Sequence, residues 1–490
     1  TFCWAFNLNL ASPVWVISGA MFEPEEPESF NENKMWYAQL IGPCLTDHGN
    51  QKWRAAVATP SGIVVCPPWN ASHVLRIDPR EPQQMDVQII GADLGLGVGK
   101  WRSGVYGADG CVYCPPWFAS HVLRINPTVG TSELIGPEFT IPDPQELAKE
   151  FGDSIGLGDG EPDDEHWGKW MDGVLSPNGN LYCQPWCANR ILQINTNTGE
   201  VDLIGPDLGW MPDKYRAAVV TTDGAIYCPP FSASRVLRVD LTSGDISLIG
   251  PDYGMKRGKW WTGAMSLVNT ILCPPHSATQ VLQINIFYRT CALVGRDFGE
   301  DEAKYRAIVQ SNDGCFYGPP CNAPQVICID PIAPDADFIG PEFCAGGFKW
   351  VTAGLGEDGC VYSPPWLAHK ALRIDVPNRW ARQIGKNHGW GGGKWDTMCA
   401  HEDGFFYCPP LCATDTLSLD TAIGTTELLA PELGKVSKKW RCAARSLNGD
   451  LFCPPYGHEK VLRLTFKSLQ LDSRSGSKTA SKDDCKDPSP

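Results

Sequence analysis

The sequence predicts an all-β chain folded as a single closed β-propeller of about nine four-stranded blades, with eight or ten as the alternatives. Three observations lead there. A unit such as KWRSGVYGADGCVYCPPWFASHVLRINP (100–127) recurs nine times, beginning at Lys52, Lys100, Lys169, Lys214, Lys259, Lys304, Lys349, Lys394 and Lys439, and the step is 45 residues from Lys169 onward. Every unit contains four short apolar runs and none contains a helical period. Between the first two runs stands a hairpin dipeptide, as in Asp109-Gly110, Asn178-Gly179 and Asp403-Gly404, and type I′ turns need the positive φ that such pairs tolerate.

Taken in order, residues 1–36 read as a worn partial repeat or an N-terminal extension. Their uncharged start is interrupted by Asn7, Asn9 and Pro13 and lacks a basic flank, which argues against a membrane span. The propeller is expected over 37–472. In the second full unit the four runs are Ser103–Tyr106, Cys111–Cys114, His121–Ile125 and Ser132–Ile135. The second run stops at Pro-Pro, which has no N–H to give a ladder. Tyr37–Pro43 matches a fourth strand without its blade, and Arg441–Leu464 supplies strands one to three of the last blade. Pairing the two closes the ring; Phe466–Leu471 is the alternative fourth strand. An insert occupies 138–168. Asp143, Pro144 and Glu146 have the spacing of an N-cap, first-turn proline and N3 acid, so a short helix is expected through Phe151. The polar tail 473–490 is expected to be disordered.

The net charge of −15 excludes generic nucleic-acid binding, which needs a basic face. Seven of 21 cysteines occupy one equivalent place: Cys66, Cys114, Cys183, Cys228, Cys273, Cys408 and Cys453. Sheets packed face to face lie about 10 Å apart, too far for disulfides between these positions. Reduced core thiols and a soluble intracellular protein are therefore favoured over a secreted one. Cys183/Cys187 and Cys408/Cys412 leave a metal or a local bridge as the second reading.

A Lys-aromatic pair opens all nine units, on the same face of the ring as the Pro-Pro-aromatic corner. It reads either as a cationic crown for an anionic ligand or as a structural lock. The lock would pair each lysine with an acid near the end of strand four: Asp93, Glu138, Asp207, Asp252, Asp297, Glu342 or Glu432. The lock is favoured, because a residue repeated in every blade holds the blade. Departures from the repeat are then the candidate site. Asp172 and Asp396 stand in the first strand, Asp396 where Arg54, Arg102, Arg216, Arg306 and Arg441 stand in other units, and His401 lies nearby. Asn387 and His388 occupy the region where an acid precedes the other lysines. The expected binding residues are Lys394, Trp395, Asp396, His401 and Asp172. Asp159, Glu161, Asp163 and Asp164 could gather calcium, but they lack the ligand order of an EF-hand and read better as a solvated acidic loop. Neither HExxH nor a phosphate loop is found, and no cofactor is assigned.

The unit resembles the blade repeats of streptogramin-lyase-like, gluconolactonase-like and quinoprotein-like propellers over most of Lys52–Leu464. For the lyase and lactonase families the resemblance implies a central metal with acid-base residues, and no position here matches those. The expected function is a non-catalytic propeller, plausibly monomeric, that binds a small anionic ligand or a protein partner on its Lys-aromatic face. The alternative is a lactonase, lyase or hydrolase with its site at the channel mouth.

Overall fold

The computed structural model describes residues 34–80, 86–142, 167–344, 346–429, 433–434 and 436–468. They form nine four-stranded antiparallel sheets, each an edge-to-edge meander of consecutive strands except the last. In blade 2 the strands are Val105–Tyr106, Val112–Cys114, Val122–Asn126 and Thr131–Ile135, within a residue or two of the runs read from sequence. Blade 9 takes strands one to three from Ala444–Arg445, Leu451–Cys453 and Val461–Ser468, and its outer strand from Lys34–Ile41. That strand pairs with Val461–Ser468 from Lys34↔Ser468 to Ile41↔Val461. The segment from Phe466 thus prolongs strand three instead of supplying a fourth. The short helix expected at 144–151, most of the insert and the tail lie outside the described residues. Among the described residues no helix is long and apolar enough to cross a membrane.

Every pair of neighbouring blades shares its own apolar cluster. Blades 1 and 2 meet through Ile63, Val65, Trp101 and Cys114; blades 8 and 9 through Tyr407, Trp440, Leu451 and Cys453. Blades 9 and 1 meet in the same way through Phe452, Val461, Trp53 and Cys66, so the ring is closed. The repeat explains the division of labour: in strand two the tyrosine faces the following blade and the cysteine the preceding one. Cysteine is the size that fits. A Cβ on Gly173 would stand 2.8 Å from the Cys183 Sγ, and one on Gly263 at 2.8 Å from that of Cys273.

The hairpin aspartates do more than permit a turn. Asp109 Oδ1 accepts the Cys111 N–H at 3.0 Å while its Oδ2 takes the Tyr113 hydroxyl at 3.0 Å and the Arg124 guanidinium at 2.7 Å. Asp358, Tyr362 and Arg373 repeat the arrangement. The turn is thereby tied to strands two and three of its own blade.

All seven equivalent cysteines are outside any disulfide and buried, and burial pushes the Cys183, Cys273, Cys408 and Cys453 thiols well above the ordinary range. Cys187 and Cys412 are likewise outside any disulfide. Thiolate, the reactive form, is therefore suppressed at Cys183, Cys273, Cys408 and Cys453. With a thiol reagent in native buffer, Cys44 and Cys344, the exposed ones among the described cysteines, should label promptly and the seven only on unfolding. Prompt loss of the seven in the native state would contradict this packing.

Candidate functional site

The Lys-aromatic pairs form a continuous belt. Each lysine N–H donates to the carbonyl of the corner residue in the preceding blade, as in Lys100 to Trp69 at 2.8 Å and Lys214 to Trp186 at 2.9 Å, and Lys52 to Tyr456 at 2.8 Å closes the circle. The aromatic partner is fixed by its polar tip. Trp53 Nε1 donates to His73 O at 3.0 Å, Tyr215 Oη to Arg235 O at 3.1 Å and Trp395 Nε1 to Asp415 O at 3.0 Å, always twenty residues on.

Among the described residues no ammonium group of the belt forms an ion pair with a repeated carboxylate; those of Lys100, Lys214, Lys259, Lys304 and Lys394, among others, donate to backbone carbonyls, which corrects the expected lock. Lys214 Nζ reaches Cys187 O at 2.8 Å, Gly209 O at 2.9 Å and Met211 O at 3.1 Å. Lys259 reaches Ser232 O at 3.1 Å, Gly254 O at 2.8 Å and Lys256 O at 2.9 Å. The acids act one step removed. Asp207 and Asp252 Oδ1 accept the N–H of Gly209 and Gly254, bending the loop so that the glycine, at φ +72° and +70°, turns its carbonyl to the lysine. Burial pulls Lys214 down to about 7 and Lys259 to about 8, with Asp207 and Asp252 among the charges opposing it. The carbonyl dipoles favour the charged form in addition.

Lys394 is held in the same way, by Leu367 O at 3.2 Å, Gly389 O at 3.1 Å and Gly391 O at 3.0 Å. Asn387 Oδ1 caps Gly389 N as the aspartates do elsewhere. Burial brings Lys394 to about 8. The distinction expected for this lysine is therefore confined to the turn that precedes it. Trp395 is buried within the belt.

The position after the aromatic is where the blades differ. It faces the channel mouth and carries Arg54, Arg102, Met171, Arg216, Trp261, Arg306, Val351, Asp396 and Arg441 in turn. The arginines lie over the corner aromatics: Arg54 Cζ is 4.8 Å from the Trp69 ring centre and Arg102 Cζ 4.9 Å from that of Trp117. The corner rings run on from blade to blade, Trp69 to Trp117 at 6.3 Å, Trp117 to Trp186 at 6.0 Å and Trp186 to Phe231 at 5.8 Å. Asp396 is buried and paired with Arg441, Oδ2 to Nε at 3.2 Å. Asp172 sits on the far wall. Burial pushes its carboxyl up to about 6, opposed by the Gly173 N–H at 2.8 Å and the Arg102 charge.

His401 is not at this mouth. It lies beyond the end of Cys399–Ala400 in the hairpin, with Nδ1 3.0 Å from Asp403 Oδ1. Of the five residues expected to form one site, Asp396 and Asp172 share the mouth, Lys394 and Trp395 lie in the belt, and His401 is at the other end of its strand. Asp159, Glu161, Asp163 and Asp164 lie outside the described residues. Among the described residues no three His, Cys, Asp or Glu side chains converge as metal ligands. A shallow cavity of about 550 Å³ lies at the seam of blades 9 and 1, lined by Asn50, Lys52, His458 and Glu459 among others. Lys52 there donates to Gly49 O at 3.3 Å. Sequence reading passed over Trp261 and gave His276, in another copy of the loop that holds His73 and His121, no role, although KWW and PPH, where other units show KWR and PPW, mark both.

No family model matches the chain, and no curated protein does. Among solved structures it is similar to the Dos1 propeller, at a TM-score of 0.51 and 9% identity over 75% of this chain and 92% of that one. It is also similar to virginiamycin B lyase from Staphylococcus aureus, at 0.41 and 12% over 88% and 99%. A third is the extracellular domain of BT4673 from B. thetaiotaomicron, at 0.36 and 9% over 84% of this chain, which spans 60% of that domain. These likenesses are of fold. The chain is a nine-bladed β-propeller.

Proposed function

We propose that the protein is a non-catalytic propeller that binds an anionic ligand at the channel mouth on its Lys-aromatic face. The observation that supports this is the composition of the variable position: five arginines against one aspartate, set among aromatic rings, at a level of the channel where the blades are not alike. Guanidinium groups suit carboxylate and phosphate, and their stacking on rings orients them. Asp172 and Asp396 belong to the same rim and shape which anions fit. A protein partner would dock by an acidic side chain.

Thermal unfolding in the presence of aromatic carboxylates and their neutral amides tests this. The midpoint should rise with the carboxylates and less so at high salt; no rise, or equal rises with the amides, would overturn the reading. A second reading is favoured by one observation, the Asp172 carboxyl held near 6, a value suited to a general acid. Asp172→Asn separates the two. Binding without turnover that survives the substitution fits the first; turnover of a bound ester or lactone abolished by it fits the second.

A further inference from the structure

We infer that the anion site lies on the wall made by blades 4, 5 and 6, centred on Trp261, and takes a flat aromatic carboxylate that bears a hydrogen-bond donor. The inference rests on the function proposed above and locates it. Trp261 stands where five sibling blades carry arginine. Two arginines from the neighbouring blades close on it: Arg216 Cζ is 3.4 Å and Arg306 Cζ 4.2 Å from its ring centre. The two cations are thus within about 8 Å of each other, roughly one Debye length at physiological salt. Trp261 and both arginines are half-buried, so this like charge is concentrated where solvent screens it poorly.

His276 supplies an independent observation. Its ring stacks on Trp261, centres 4.9 Å apart and planes at 20°. Nδ1 lies 3.0 Å from Gly258 O. A carbonyl only accepts, so Nδ1 carries the hydrogen and Nε2 is left as an acceptor. Nε2 is buried with no hydrogen-bond partner among the described residues. The charges acting on the ring are Arg306, Arg216 and Lys304, all positive, and burial with these charges holds the imidazole neutral, its pKa down at about 3. The wall therefore sets two guanidiniums and an acceptor nitrogen among the rings of Trp186, Phe231 and Phe348. Carboxylate, hydroxyl and aromatic ring are the complementary groups. A buried acceptor left without a donor costs free energy, and a ligand hydroxyl removes that cost.

The probe is 6-hydroxy-2-naphthoate, titrated calorimetrically into the full chain beside its neutral amide. One equivalent of the carboxylate should bind, and the amide about tenfold or more weakly. Arg216→Gln and Arg306→Gln should each weaken the carboxylate by about tenfold or more, while Arg382→Gln, on the exposed outer strand of blade 7, leaves it unchanged. Should either arginine variant fail to fold, Trp261→Arg restores the residue that sibling blades carry. It adds a cation yet removes the platform, and should also lose the carboxylate. No saturable binding up to about 10 mM would overturn both this inference and the function it rests on. Anion-selective binding that ignores Arg216, Arg306 and Trp261 overturns the location alone.

Discussion

Replacing Lys214 by methionine should lower the stability of the protein by roughly 3–5 kcal/mol, because three carbonyls lose a charged donor at about 1–3 kcal/mol for each buried group left unsatisfied. The side chain is 1% exposed and spans two elements, the blade 3 corner at Cys187 and the loop Gly209 to Met211. Methionine fills the space but donates nothing. Lys256, exposed and paired with the exposed Glu300, is the control; Lys256→Ala should change stability by about 1 kcal/mol or less. Urea unfolding followed by tryptophan fluorescence reads both. A loss below 1 kcal/mol for Lys214→Met would mean that the carbonyl cages do not hold the belt.

Removing residues 1–41 should be as damaging, for a different reason. Eight residues of blade 9 lose their registered partners, and Ala38 and Ile41 leave two interblade clusters. With a net contribution of about 0.5–1.5 kcal/mol per hydrogen bond, the loss is on the order of 5 kcal/mol. The bared edge of Val461–Ser468 is a template for another chain, so self-association should appear in sedimentation. A synthetic peptide of residues 34–41 added in trans should reverse part of both effects. An unchanged midpoint and a clean monomer would show that the ring closes without this strand.

The architecture was legible because every unit repeats the same local instructions. Turn dipeptides, the Pro-Pro stop and the alternation of VLRID fix four strands, and the unpaired Tyr37–Pro43 run announced the closing strand. The lysine partners were not legible. An acid seven residues before Lys100, Lys214, Lys259 and Lys304 looks like an ion-pair partner, and sequence cannot show that its oxygen is committed to the glycine N–H two residues on. Position along a strand was the other difficulty. Asp396 and His401 both depart from the repeat, but at about 3.3 Å per residue five residues carry the chain across the channel wall, from one mouth toward the other. The contribution of Trp261 was hidden for a related reason: its neighbours Arg216 and Arg306 are 45 residues away on either side, and only the packing of consecutive blades brings them to one indole.

One pair of variants tests the central claim, that the repeated residues hold the ring and the departures at its mouth bind. Lys394→Met and Arg306→Gln are compared by urea unfolding and by titration with 6-hydroxy-2-naphthoate. The account predicts a lower unfolding midpoint with unchanged affinity for Lys394→Met, and an affinity reduced about tenfold or more for Arg306→Gln. A Lys394→Met protein that keeps its stability and loses the ligand, beside an Arg306→Gln protein that binds normally, would contradict it.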